Sequence, residues 1–143
     1  MSVLSKTLGP AAALGVVATA VTLAAPQAGA TISSVDLSPG LSFGSASSYG
    51  VGCEYKVTVT AKPNTSVSLM DENTDNNERT GYWLSFNPIG VVTDATGKGT
   101  TTWYPSWKGL HTFRAQEFGS DVVFTTTVTA GTATKVGPAC LVS

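Results

Sequence analysis

The stretch Cys53–Ala61, CEYKVTVTA, alternates strictly. Tyr55, Val57, Val59 and Ala61 fall on one side of an extended chain, and Glu54, Lys56, Thr58 and Thr60 on the other. A period of two is the pattern of a strand with one face buried, and it excludes an amphipathic helix. The pattern returns along the chain. SVSLM (66–70) points Val67 and Leu69 inward. YWLSF (82–86) places Tyr82, Leu84 and Phe86 on one face and Trp83 on the other. LHTFRA (110–115) aligns His111, Phe113 and Ala115, and DVVFTTTVTA (121–130) aligns Val122, Phe124 and Val128. VVT and GTTTW flank DATGK, which reads as a hairpin turn carrying Asp94 and Gly97. TISSVDL (31–37) reads as a further strand, with Ile32 out of phase with Val35 and Leu37. No helical period follows Thr31, and eighteen threonines from there on suit a pleated surface. The expectation is an all-β, antiparallel sandwich of seven or eight strands. The Ser- and Gly-rich stretch from Ser38 to Gly52 is expected to be a loop or irregular edge.

Residues 1–30 differ in kind. Lys6 is the one charge before an apolar run from Leu8 to Ala25, and small residues at Ala28 and Ala30 close the segment. A charged start, an apolar middle and an A-x-A site describe a secretory signal peptide, cleaved after Ala30. A retained membrane span is the competing reading, but the run is alanine-rich and weakly apolar. Cleavage leaves residues 31–143 as one domain, released to the outside and expected to be a monomer without stable membrane insertion. Five Lys and two Arg in that part face five Asp and four Glu, and the cations are scattered. Nucleic acid or an anionic membrane would require a basic patch, so neither is an expected partner.

Two cysteines, Cys53 and Cys140, would both meet an oxidising compartment after export, where an even count points to a disulfide. Two buried thiols are the alternative. A zinc site is a poor fit, with one histidine and no CxxC.

VVTDATGKGTTTWYPSWKGLHTFRA carries a resemblance: a turn, a strand ending in Trp103 and Pro105, then Gly109 and the alternating His111, Phe113 and Ala115. Over about Cys53–Ala130 the chain resembles the bacterial immunoglobulin-like (Big-type) domains of secreted actinobacterial proteins. The resemblance implies an immunoglobulin-like sandwich and a binding module, without naming a partner. A cysteine opening the first core strand, paired with one after the last strand, is similar to the secreted members.

GLSFG (40–44) fits Gly-x-Ser-x-Gly, and Ser42, Asp94 and His111 follow the chain order of an α/β-hydrolase triad. That elbow needs a helix directly after the serine, and GSASSYGVG has no helical period. No catalytic residue is therefore assigned. His111, in phase with Phe113 and Ala115, is expected to point inward and donate a ring N–H to the backbone. DATGKGT fails the phosphate-loop pattern at Val92 and Gly99. Asp71, Asn73 and Asp75 have the alternate oxygen spacing of a calcium loop, but Asn76 and Tyr82 stand where the EF-hand requires Gly and Glu. The polar run from Asp71 to Glu78 is expected to be an exposed loop binding calcium weakly or not at all, and no metal or cofactor is assigned.

Trp83, Tyr104 and Trp107 are the candidate partner-binding residues, since Trp83 is out of phase with its strand and Trp107 lies in a turn. Capping of the core by the same rings is the alternative. The expected function is a secreted, non-enzymatic module binding a protein, glycan or cell-envelope partner. A carrier of a small apolar ligand, similar to the enediyne apoproteins, comes second, and a serine hydrolase last.

Overall fold

The computed structural model describes residues 31–44, 48–73 and 80–143; the expected signal segment, residues 1–30, lies outside them. CEYKVTVTA supplies the strand β4 (Tyr55–Ala61), and its apolar set Tyr55, Val57, Val59 and Ala61 is buried as the alternation requires. Around it the chain forms β1 (Ile32–Leu37), β2 (Ser42–Gly44), β3 (Tyr49–Gly50), β5 (Ser66–Asn73), β6 (Thr80–Tyr82) and β7 (Phe86–Asn87). The remaining strands are β8 (Gly90–Val92), β9 (Lys98–Trp103), β10 (Gly109–Glu117), β11 (Val123–Gly131), β12 (Ala133–Val136) and β13 (Ala139–Val142). The described strands exceed the seven or eight expected because several run only two or three residues.

One sheet has the order β1-β4-β9-β7. A second has the order β3-β11-β10-β5, with β6 and β8 sharing the far edge of β5, and a small third sheet is β12-β13-β2. The pairings are antiparallel except β11 with β3 and β13 with β2. The core lies between the first two sheets. Phe86 and Trp103 of the first meet Phe113 of the second, at ring-centroid distances of 5.2 and 4.8 Å. Edge-to-face geometry at that spacing lets the positive ring edge meet the negative face. The outcome is an all-β, mostly antiparallel sandwich of the broad immunoglobulin-like kind.

Several expected elements differ, each for a physical reason. YWLSF is not one strand: β6 pairs with β5 and β7 pairs with β9, so the chain changes sheets here through a 3-10 turn, Trp83–Ser85. The turn leaves Phe86 buried and throws Leu84 outward, 91 % exposed. The strands flanking DATGK do not form a hairpin, because β8 pairs with β5 and β9 with β4. The turn itself is tight, with Gly97 N–H donating to Asp94 O and Asp94 N–H to Lys98 O, both 2.9 Å. Val122 precedes β11 and is exposed, whereas Phe124 and Val128 are half-buried against the core. In β1 a register irregularity between Ile32 and Ser34 lets Ile32 and Val35 both face inward, which explains their broken phase. Ser38–Gly52 contains the short strands β2 and β3 rather than loop alone.

Asp94 shows why that turn is tight. Its Oδ1 accepts from the Thr96 hydroxyl (2.6 Å), from Thr96 N–H (2.8 Å) and from Lys98 N–H (3.1 Å). The Thr96 hydroxyl is the largest cause holding the carboxyl below its ordinary value; the two backbone donors follow, and the Lys98 charge adds least. A depressed folded pKa contributes stability above the unfolded value, about 3.9, and the contribution is lost as pH falls through the folded value. Thr96→Val should move the Asp94 titration, read by carboxyl NMR, back toward the ordinary value. An unmoved titration would contradict this account of the turn.

Candidate functional site

The end of the sandwich where β4 begins and β9 ends brings a cluster of aromatic rings and a buried ion pair together. Tyr55 opens β4 opposite Trp103, the last residue of β9. Tyr49 from β3 closes on both rings, at 5.0 Å from Tyr55 and 5.8 Å from Trp103. The chain after Trp103 is pinned by two backbone bonds: Tyr104 N–H donates to Ser85 O (2.7 Å), and Gly52 N–H to Pro105 O (2.9 Å). The first bond seats the Trp83–Ser85 turn beside Tyr104.

Beneath this end lies a buried ion pair. Asp71 on β5 and His111 on β10 are both 0 % exposed, with His111 Nδ1 2.8 Å from Asp71 Oδ2 and 3.1 Å from Oδ1. Trp103 Nε1–H donates to Asp71 Oδ2 at 2.9 Å. On the far side of the imidazole, Nε2 lies 3.0 Å from Trp107 O, and the Trp107 ring stacks flat on it at 4.1 Å and 20°. A backbone carbonyl can only accept, so Nε2 carries a proton and donates it, while a second proton is held between Nδ1 and the carboxylate. Every polar atom of the pair therefore has a partner, the condition under which a buried charge is tolerated. The expected bond from the His111 ring to the backbone is present, joined by a carboxylate that sequence reasoning had assigned to an exposed loop.

That assignment is corrected on two counts. Asp71 and Glu72 are buried, because β5 runs on to Asn73 as the neighbour of β10. Glu72 Oε1 takes a bond from Arg114 Nη1 at 3.0 Å. With both Asp71 oxygens engaged by protein donors, a calcium loop beginning there loses its first ligand; residues 74–79 of the segment lie outside the described residues. Among the described residues no group of three His, Cys, Asp or Glu side chains could hold a metal ion.

The hydrolase constellation is not brought together. Ser42 sits on a three-residue strand, its hydroxyl 3.0 Å from the Tyr55 hydroxyl. Both nitrogens of His111 are occupied, and Asp94 lies beyond the other end of β9. Among the described residues Ser42 is followed by the strands β2 and β3 and not by the helix of an elbow, so the architecture is not that of a hydrolase.

Cys53 and Cys140 form a disulfide with Cα atoms 6.5 Å apart, tying the third sheet to the start of β4. Close packing completes the attachment. A Cβ on Gly50 would overlap the Ala133 Cβ and press on Val142 Cγ2, so β3 passes β12 at a distance only glycine permits. Gly50→Ala should cost about 1–3 kcal/mol, as an overpacked core does. A melting temperature within one degree of the parent would show that the third sheet shifts freely.

The register of the third sheet divides its residues between two faces. Ser42, Cys140 and Lys135 are cross-strand partners in one row on the inner face. On the outer face Phe43 pairs with Leu141 and Val136 with Ala139. Phe43 (62 %) and Leu141 (56 %) are more than half exposed, as are Leu41 and Val136. Sequence reasoning missed this face. The signal was present in the alternation of Leu41 and Phe43 about Ser42 and of Leu141 between Cys140 and Val142, but each run was too short to read alone. The candidate binding residues Tyr104 and Trp107 are half-buried at the same end, and Trp83 opens the 3-10 turn joined to Tyr104. At the opposite end Val67, Ile89, Val92 and Phe118 line an open apolar groove of about 240 Å³. Pockets for drug-sized ligands generally enclose about 300–1,000 Å³. No helix among the described residues is long and apolar enough to cross a membrane.

No family model matches the chain, and no curated protein matches it. Among solved structures it is similar to WR4, an MSP family member from C. elegans, at 11 % identity and a TM-score of 0.37, over 68 % of this chain and 97 % of that one. It is also similar to the ASH/PapD-like domain 7 of human CEP192, at 15 % identity and a TM-score of 0.32, over 87 % of this chain and all of that one. The sheets described above bear out the coarser expectation, an immunoglobulin-like β-sandwich, and no family model bears out the Big-type resemblance read over about Cys53–Ala130.

Proposed function

We propose that the chain is a secreted, non-enzymatic interaction module that binds a protein, glycan or cell-envelope component through the end of the sandwich bearing the third sheet. The outer face of that sheet carries the reading. Leu41, Phe43, Val136 and Leu141 stand exposed on paired strands, and a contiguous apolar patch on a soluble domain marks a contact surface. The disulfide between Cys53 and Cys140 holds the patch to the core, so little order is lost when a partner settles on it. Tyr104 and Trp107, half-buried at the same end, widen the contact, and the third candidate, Trp83, opens the turn whose Ser85 carbonyl accepts from Tyr104 N–H. Export follows cleavage after Ala30, which starts the mature chain at Thr31, and a disulfide suits the oxidising compartment beyond.

Binding to culture supernatant and envelope fractions tests the reading. Phe43→Ser with Leu141→Ser should weaken capture by about 2–4 kcal/mol, the range of a contact centre, with the melting temperature little changed because both side chains are already exposed. Undiminished capture by that variant would overturn the assignment of the surface.

A further inference from the structure

At the end of the sandwich opposite the third sheet, β10 finishes on Glu117, which continues the inward phase of His111, Phe113 and Ala115. An acid in that phase at the end of a strand faces the mouth between the two main sheets. Its backbone is fixed: Glu117 pairs with Val67 of β5, and Phe118 N–H donates to Ser66 O at 2.9 Å. The carboxylate is half-buried and forms no ion pair among the described residues. What meets it is the hydroxyl of Thr31, which donates to Oε2 from the first sheet across the mouth. We infer that Glu117 is a built-in counter-ion for the mature N-terminus. Cleavage after Ala30 turns the Thr31 nitrogen into an ammonium group that pairs with this carboxylate and ties the two sheets together.

Thr31 is placed by the chain that follows it. Its carbonyl accepts from Lys62 N–H at 3.1 Å, and the next residue, Ile32, pairs with Ala61 of β4. The nitrogen and hydroxyl oxygen of one threonine lie about 3–4 Å apart. A carboxylate touching the hydroxyl therefore reaches the nitrogen by a small turn of the Glu117 side chain. In the precursor that nitrogen is a neutral amide. Hydrolysis of the Ala30–Thr31 bond leaves a carboxylate on Ala30 and an amine on Thr31, which is mostly protonated at neutral pH.

Partial burial of a carboxylate is unfavourable without a cation, and the surroundings offer no better one. Lys62, after β4, is exposed, as are Asp121 beyond β10 and the Asp94–Lys98 turn before β9, where Asp94 Oδ1 is already engaged. The two sheets share no strand pairing, so a bond from Thr31 beside β1 to Glu117 on β10 adds a tie that the ladders do not supply. It forms only once the signal segment is gone. Processing thus tightens the fold.

The inference rests on cleavage after Ala30, so N-terminal sequencing of the exported protein is the first measurement. A start other than Thr31 overturns both readings. In protein that starts at Thr31, the ammonium titration, followed on the Thr31 Hα proton by NMR, should fall at higher pH than in Glu117→Gln, because the carboxylate favours the charged form. The raised value gives stability that is present below the ordinary α-amino value, about 8, and lost as pH rises through the raised one. Two glycines inserted ahead of Thr31 move the charge away while leaving Thr31 in the chain. In urea unfolding they should raise the unfolding equilibrium constant about threefold, the scale of a partly exposed pair, and have no effect in the Glu117→Gln background. Coincident titrations, or an equal effect of the glycines in both backgrounds, would overturn the ion pair while leaving the cleavage site standing.

Discussion

Asp71→Ala is expected to lower the unfolding free energy by about 3–5 kcal/mol, the cost of stripping a buried charge of its partner. The carboxylate serves two donors at once. Its removal leaves Trp103 Nε1–H without its acceptor and the His111 ring buried with a proton that only Trp107 O can share. Because the His111 ring packs against both Trp103 and Trp107, the cavity left by the carboxylate adds to the electrostatic loss. His111→Ala should cost a similar amount, and the double variant clearly less than the sum, since each single change already destroys the same pair. Urea unfolding of the three variants measures this. Additive losses, or a loss under about 1 kcal/mol for Asp71→Ala, would mean that the pair contributes little beyond its volume. Small domains are stable by only about 5–15 kcal/mol, so either single variant should leave the fold marginal.

Reduction of the Cys53–Cys140 disulfide is the second large effect. The bond closes a loop with a sequence separation of 87 residues, and the chain-entropy model assigns such a loop about 4–5 kcal/mol of stabilisation through the unfolded state. Cys53→Ala with Cys140→Ala should lower stability by that order. Amide exchange should also rise first in residues 133–142, because the covalent tie holds the third sheet to the start of β4. Uniform acceleration over the whole sandwich would show instead that the third sheet is no separate unit of opening.

The two-residue period carried the central strands well. In β4, β5 and β10 the inward residues are those the alternation selects, because each strand has at least one long neighbour and one face covered by the opposite sheet. Sequence failed where the chain changes sheets. In Trp83–Phe86 and around DATGK the apolar pattern continues while the partner strand changes, and no local signal tells one sheet from the other. The exposed apolar face of the third sheet was hidden for a related reason: it joins residues about a hundred positions apart, Phe43 and Leu141, through parallel pairing. Asp71 was misread because a buried carboxylate in a polar run looks like solvated loop until its partners, Trp103 and His111, come from two distant strands. His111 was legible, since its phase with Phe113 and Ala115 fixed the direction of its ring.

The contact surface can be tested directly with a photoreactive benzophenone side chain, placed at position 43 on the outer face of the third sheet or at the exposed position 127 on β11. The labelled protein would be mixed with supernatant and envelope fractions and irradiated. A saturable adduct from position 43, competed by unlabelled protein and absent from position 127, is the predicted result. Adducts from position 127 alone, equal yields from the two positions, or none from position 43 would contradict the claim that this face meets the partner.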